Sequence, residues 1–278
     1  MELPQKYLVP RLSVILCVRP SLTDLAGVSL PPMGSPLTRK AELERSAASV
    51  LQELNDARDP VGAELIVIDA ESPEGIADHL RSVFADEIVR GKLQIVECPP
   101  TIDLGRMRNR GVEKAQGTWL TFLAPGDCFK PGRLSQLESH LRGADLILGY
   151  DGTEVPLRGD WIRSLISGEI PPDRFVAGAA VIKRTLFEKV GGFLEGRLGQ
   201  LIDHDLWVRA LLELRDQKTS DRLLIMPNPE VLRGNAATKP LWLRDGQHAL
   251  TLVGGLSKLP WRLWPTALKR VAGFLLNR

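Results

Sequence analysis

A chain of 278 residues, 44% hydrophobic and 25% charged, can bury a full core as one large α/β domain or two small ones. A formal charge of +2 lacks the one-sided excess that nucleic acid or an acidic partner demands. Cys17, Cys98 and Cys128 form no C-x-x-C pair and the four histidines show no H-x-x-x-H or H-x-x-E-H spacing, which argues against a disulfide framework, a zinc site and a metallohydrolase.

The first six residues, Met-Glu-Leu-Pro-Gln-Lys, have no basic segment followed by an apolar one, and no apolar run reaches the length of a membrane span. The expectation is a cytoplasmic protein that is not integral to a membrane. Leu12 to Val18 is a continuous apolar, β-branched run, the pattern of a strand buried on both faces of a parallel sheet. A Pro/Ser/Gly-rich loop from Pro20 to Pro36 follows. Leu43, Ala47, Val50, Leu51 and Leu54 then recur at helical spacing, predicting a crossover helix over 37–54.

Glu64 to Ile68 reads as the second strand, ending on Asp69, with a helix near Ile76 to Phe84. Leu93 to Val96 is a short third strand. Leu104 to Ala115 is a helix whose start is basic through Arg106, Arg108 and Arg110, ended by Gly117. The strand Trp119 to Leu123 empties into Ala124-Pro-Gly-Asp127, leaving one carboxylate at the carboxyl end of a strand, where open α/β sheets place their chemistry. The same three turn formers also fit an ordinary loop. Alternating strands and helices predict a parallel sheet.

Beyond it, Pro131 to Leu141 reads as a helix, Asp145 to Tyr150 and Ala177 to Lys183 as strands, and Arg184 to Val190 as a helix stopped by Gly191-Gly192. Leu206 to Leu214 is strongly helical, and Leu223 to Met226 is the last core strand. From Gly246 to Arg278 there is no acidic residue, while Lys258, Arg262, Lys269, Arg270 and Arg278 are basic and Trp261 and Trp264 sit among leucines. That tail reads two ways, as a basic amphipathic helix on an anionic membrane surface or as a terminal helix packed on the domain.

In their order, Leu12-Ser-Val-Ile-Leu, Leu65-Ile-Val-Ile-Asp69, Arg108-Asn109-Arg-Gly111, Gly117 to Leu123 and Gly126-Asp127 resemble the nucleotide-sugar half of family 2 glycosyltransferases. Ala179 to Arg184, Phe187 to Phe193 and Asp203-His-Asp-Leu-Trp-Val-Arg209 resemble the acceptor half of that family. The resemblance implies a GT-A domain over residues 10–235, a mostly parallel central sheet flanked by helices, with a donor half to about 130 and an acceptor half over 131–235. A C-terminal helical extension would occupy 236–278. The implied activity is inverting transfer of a sugar from a nucleoside diphosphate sugar to a glycan or lipid-linked hydroxyl; of the two readings of the basic tail, the membrane one would make the cytoplasmic protein peripheral to the inner face of the membrane.

The resemblance also implies roles for particular residues. Asp69 would bind the nucleotide base or ribose, or else cap its own loop. Arg108 would fork onto carbonyl or phosphate oxygens beside the nucleotide, or lie on a solvated helix face. Asn109 would join it, or order the loop backbone. The family's D-x-D stretch is reduced here, with Ala124 and Gly126 at two aspartate places, so Asp127 alone would hold Mg²⁺ or Mn²⁺ on the diphosphate. Asp203 would be the catalytic base, in need of burial or a nearby negative charge to work at neutral pH, or an N-cap of the following helix. Asp205 and Trp207 would shape the acceptor or sugar pocket; alternatively, Asp205 serves the helix N-terminus and Trp207 the core. Asn235 stands where many members carry a histidine. The thinned metal motif also admits a GT-A domain that has lost turnover and acts as a binding or scaffold protein.

Overall fold

The computed structural model describes residues 11–18, 36–55, 62–72, 75–150, 175–195, 202–227 and 231–232. The loop over 20–35, Asn235 and the whole of 236–278, with the predicted helical extension, lie outside the described residues. The elements are β1 (Leu12–Val18), α1 (Pro36–Asn55), β2 (Ala63–Asp69), α2 (Ile76–Val83), α3 (Ala85–Val89), β3 (Leu93–Glu97), α4 (Leu104–Lys114), β4 (Trp119–Leu123) and β5 (Cys128–Phe129). They continue with α5 (Arg133–Leu141), β6 (Leu146–Tyr150), β7 (Phe175–Lys183), α6 (Arg184–Lys189), α7 (Ile202–Asp216), β8 (Leu223–Pro227) and β9 (Val231–Leu232).

Seven strands form one sheet in the order β3-β2-β1-β4-β7-β6-β8. β3, β2, β1 and β4 are parallel, as are β6 and β8. β7 runs antiparallel to both β4 and β6, so the sheet is mostly parallel. Side chains of β1 alternate between two cores: Ile15 and Cys17 face α4 and α7, whereas Val14, Leu16 and Val18 face α1 and α2. Both faces are covered, which explains why these strands carry unbroken apolar runs. α1 buries Leu43, Ala47, Val50, Leu51 and Leu54, the residues of its helical repeat. No helix among the described residues is long and apolar enough to cross a membrane.

Three boundaries differ from the expectation. The helix after β2 breaks at Phe84 and restarts as α3, a five-residue turn that buries none of its residues. β5 and β9 pair antiparallel as a two-residue ribbon, Cys128 with Leu232 and Phe129 with Val231. A ribbon that short carries no periodic signal. Finally, α7 begins at Ile202, so Asp203 lies inside the first turn and is not its N-cap.

The carboxyl end of α4 is fixed by one side chain. Arg184, the first residue of α6, donates to the carbonyls of Gly117 (3.0 Å), Val112 (3.1 Å) and Ala115 (2.8 Å). A guanidinium at a helix C-terminus satisfies otherwise orphaned carbonyls and complements the helix dipole. α4 thereby enters the site with both ends set, since Asp103 caps its start by accepting from the Arg106 N–H at 3.0 Å.

Candidate active site

Asp127 follows a tight turn in which its N–H donates to the Ala124 carbonyl at 3.0 Å. Pro125 occupies the second turn position and Gly126, with φ 88, the third. Proline then glycine at positive φ is the pattern of a type II turn. An aspartate at 126 would be strained there, a physical reason for the missing carboxylate. Asp127 is 9% exposed and lies beside β7 at Gly178, where an added Cβ would stand 3.6 Å from its Oδ2.

The turn is gripped from α1. Ser46 Oγ accepts from Gly126 N–H (2.9 Å), Ser49 Oγ accepts from Phe129 N–H (3.1 Å), and the Glu53 carboxylate accepts from Gly132 and Leu134 N–H (2.9 and 3.1 Å). These three residues recur at helical spacing beside the buried face, so one helix aligns four backbone amides on either side of Asp127. Sequence reasoning missed all three. Their signal is a polar stripe next to the apolar one, which by itself reads as an ordinary boundary between core and solvent.

Asp69, at the carboxyl end of β2, is 2% exposed. Its Oδ1 accepts from Ser72 N–H at 3.2 Å, and its Oδ2 accepts from Ser72 Oγ at 3.0 Å and from Ala77 N–H at 3.2 Å. The carboxylate therefore closes its own loop and caps the first turn of α2. Glu71 within this loop has φ 43, a conformation unusual for a residue with a side chain. Burial pushes the Asp69 carboxyl above the ordinary carboxylate range, opposed by the bonds from Ser72 and Ala77 and reinforced by the nearby Glu97 charge.

Arg108 and Asp203 meet. Arg108 is 6% exposed, which overturns the solvated helix-face reading, and its Nη1 donates to Asp203 Oδ1. The guanidinium carbon sits 5.7 Å from the Phe122 ring centroid and 5.0 Å from that of Phe193. Those two rings contact each other edge-on at 4.7 Å. Phe193 is held in turn by Asn109, whose Nδ2 donates to its carbonyl and whose Oδ1 accepts from its N–H, each at 3.0 Å. Asn109 Nδ2 also donates to Glu195 Oε1 at 3.2 Å, so the amide is spent on the backbone of Phe193 and the side chain of Glu195, close to the loop-ordering role considered for it.

The same turn packs on the start of α4. An added Cβ at Gly105 would lie 2.2 Å from the Leu194 carbonyl oxygen, so only glycine permits this approach. Arg106 Nε donates to Glu195 at 3.0 Å across the same contact. Asp205 does not act on the helix N-terminus through an open carboxylate. It is 3% exposed, and its Oδ2 accepts from Arg209 Nε (2.9 Å) and Nη2 (2.5 Å), while Arg209 Nη1 donates to the Val190 carbonyl (2.6 Å). Trp207 is 3% exposed within the core that faces α4.

The structure therefore joins Arg108, Asn109 and Asp203 into one cluster through the 191–195 turn, and gives Asp69 and Asp127 separate places at the ends of β2 and β4. Of the two aids expected from the sequence, burial or a nearby negative charge, Asp203 has only partial burial, and its neighbour is a cation. Its side chain keeps 19% exposure, against 7% for Arg108, so it is the more accessible member of the pair. A part-exposed carboxylate in the first turn of a helix can accept a hydrogen bond from a hydroxyl group.

Several comparisons bear on this arrangement. The family model described as Glycosyl transferase family 2 matches residues 38–193, more than half of the chain. No curated protein sequence matches the chain significantly. Among solved structures, a mannosyltransferase from Pyrobaculum calidifontis in complex with GDP-Man and Mn²⁺ aligns at 17% identity and TM-score 0.60, over 97% of this chain and 75% of that one. TarS residues 1–349 from S. aureus, in complex with UDP-GlcNAc, aligns at 13% identity and TM-score 0.54, over 95% and 80%. Glucosyl-3-phosphoglycerate synthase from M. tuberculosis aligns at 15% identity and TM-score 0.55, over 90% and 82%. The chain spans 43% of the longer TarS structure. At such identities the structural likeness establishes the shared GT-A fold, and the family follows from the sequence model: the chain belongs to glycosyl transferase family 2 and is a glycosyltransferase.

Proposed function

We propose that the protein transfers a sugar from a nucleoside diphosphate sugar to an acceptor hydroxyl with inversion, using Asp203 as the base. The observation that carries this reading is the Asp203 carboxylate itself, part-exposed in the first turn of α7 and tied to Arg108 above the Phe122–Phe193 pair. In the step, the acceptor oxygen forms a bond to the anomeric carbon while the bond from that carbon to the diphosphate breaks. The hydroxyl proton passes to Asp203, and the nucleoside diphosphate departs from the opposite face.

Asp127 lies at the carboxyl end of β4, the edge where ligands of open α/β sheets bind. Among the described residues no group of three or more His, Cys, Asp or Glu side chains is arranged to hold a metal ion. The one carboxylate fits a Mg²⁺ or Mn²⁺ that takes its remaining ligands from the diphosphate and water. When bound, such an ion would neutralise charge growing on the leaving diphosphate. The complexes of the mannosyltransferase with GDP-Man and Mn²⁺ and of glucosyl-3-phosphoglycerate synthase with Mn²⁺ and UDP support this reading. Asp69 contributes by shaping the loop after β2 beside the nucleoside, and direct contact with the base would use its remaining acceptor capacity. The acceptor is a glycan or a lipid-linked saccharide.

The test is transfer from a panel of UDP-, GDP- and dTDP-hexoses to saccharide acceptors with Mn²⁺, comparing wild type with D203N. Loss of a general base lowers kcat by about 10² to 10⁴-fold. Wild-type turnover in D203N removes the base assignment, and absence of transfer by wild type with every donor returns the chain to the scaffold reading.

A further inference from the structure

We infer that Arg108 is the positioning residue of Asp203 and not a ligand of the nucleotide; this rests on the reading of Asp203 as the base. An arginine that binds a diphosphate or a nucleobase must present an open edge of its guanidinium. The Arg108 side chain is only 7% exposed, and its charged group lies against the Phe122 and Phe193 rings. Its Nη1 is directed to Asp203, 95 residues away in sequence. Cation–π contact strengthens when the cation is desolvated, so the aromatic slot favours the guanidinium where it is.

The slot is itself assembled by the neighbouring residue of α4. Asn109 fastens both backbone groups of Phe193, Phe193 covers Arg108, and Arg108 reaches the first turn of α7. Two consecutive residues of one helix therefore set the distance between α4 and the Asp203 carboxylate. Because α4 is anchored at its carboxyl end by Arg184, the position passed on to Asp203 is referred back to the central sheet. Arg108 takes Oδ1, which leaves Oδ2 to receive the proton from the acceptor.

The experiment compares R108Q, R108K and D203N in binding and in turnover. Calorimetry with UDP and with GDP, each with Mn²⁺, is expected to give a Kd within about twofold of wild type for all three variants, while kcat in R108Q falls about 100-fold, the scale of a misplaced reacting group. R108K keeps a charge between the rings and is expected to recover about tenfold of that loss. If R108Q does not fold, R108K carries the same comparison with an intermediate loss of kcat. A purely structural arginine would lower the melting temperature, and the calorimetric stoichiometry would fall in step with the apparent kcat, whereas the positioning role lowers kcat at unchanged stoichiometry.

The failures are distinguishable. Full turnover in D203N overturns the base reading, and the inference with it. Inactive D203N together with R108Q or R108K that binds UDP or GDP at least about tenfold more weakly leaves the base in place and overturns the positioning role.

Discussion

Replacing Ser46 by alanine isolates the grip of α1 on the Asp127 turn. Ser46 is fully buried, and its hydroxyl accepts from Gly126 N–H at 2.9 Å while donating to the Glu42 carbonyl at 3.0 Å. Loss of the bond to Glu42 costs little, because a carbonyl inside a helix has its own i+4 partner. Loss of the acceptor leaves Gly126 N–H buried without a partner, a cost of about 1–3 kcal/mol. Alanine returns up to about 0.5 kcal/mol through its higher helix propensity. The net expectation is a destabilisation of about 1–2 kcal/mol in urea unfolding, with the m-value unchanged. Ser49→Ala should cost less, because Ser49 is half-buried and water can take its place beside Phe129 N–H. Since Gly126 adjoins Asp127, Ser46→Ala should also weaken Mn²⁺-dependent binding of UDP or GDP. A Ser46→Ala protein within about 0.3 kcal/mol of wild type would falsify the claim that this hydroxyl holds the turn.

Two further outcomes are open to measurement. Burial raises the Asp69 carboxyl above its value in the unfolded chain, so the folded protein binds the proton more tightly. The resulting stability is fully present below the unfolded value and is lost as pH rises through the folded one. Asp69→Asn should therefore be more damaging at acid pH, where it forfeits that contribution, than at neutral pH. A cost that grows as pH rises, in paired urea titrations, contradicts the sign. Gly105→Ala places a methyl group 2.2 Å from the Leu194 carbonyl, so the 191–195 turn must shift; a loss of about 1–3 kcal/mol is expected. Its kcat should fall together with that of R108Q, because the same turn carries Phe193, and unchanged stability would show that the turn yields freely.

The central strands were legible because each is an apolar run long enough to be covered on both faces, and Leu12–Val18 and Trp119–Leu123 appear where the sequence placed them. The helix α1 was legible from five apolar residues, but its contact with the Asp127 turn was not. Ser46 and Ser49 are ordinary residues on a helix, and their partners lie 80 residues away. Asp203 could be singled out by its resemblance to a known motif, yet its partner could not. The same arginine suits a nucleotide ligand, a surface side chain or an internal ion pair, and only tertiary packing separates them. Asp205 shows the converse. Its pairing with Arg209 four residues on follows helical spacing and was available from the sequence.

The row of Ser46, Ser49 and Glu53 separates the framework of the Asp127 turn from its chemistry. Backbone amides hold the turn to a helix contributed by a distant part of the chain, so the Ala124 side chain is released from structural duty while Pro125 and Gly126 shape the turn itself. Ala124 can therefore vary without dismantling the frame, whereas a change on α1 disturbs it while leaving every residue of the turn intact. A motif read only across 124–127 registers erosion; the helix-held frame of this chain does not depend on the side chain at 124, where a second carboxylate could be introduced.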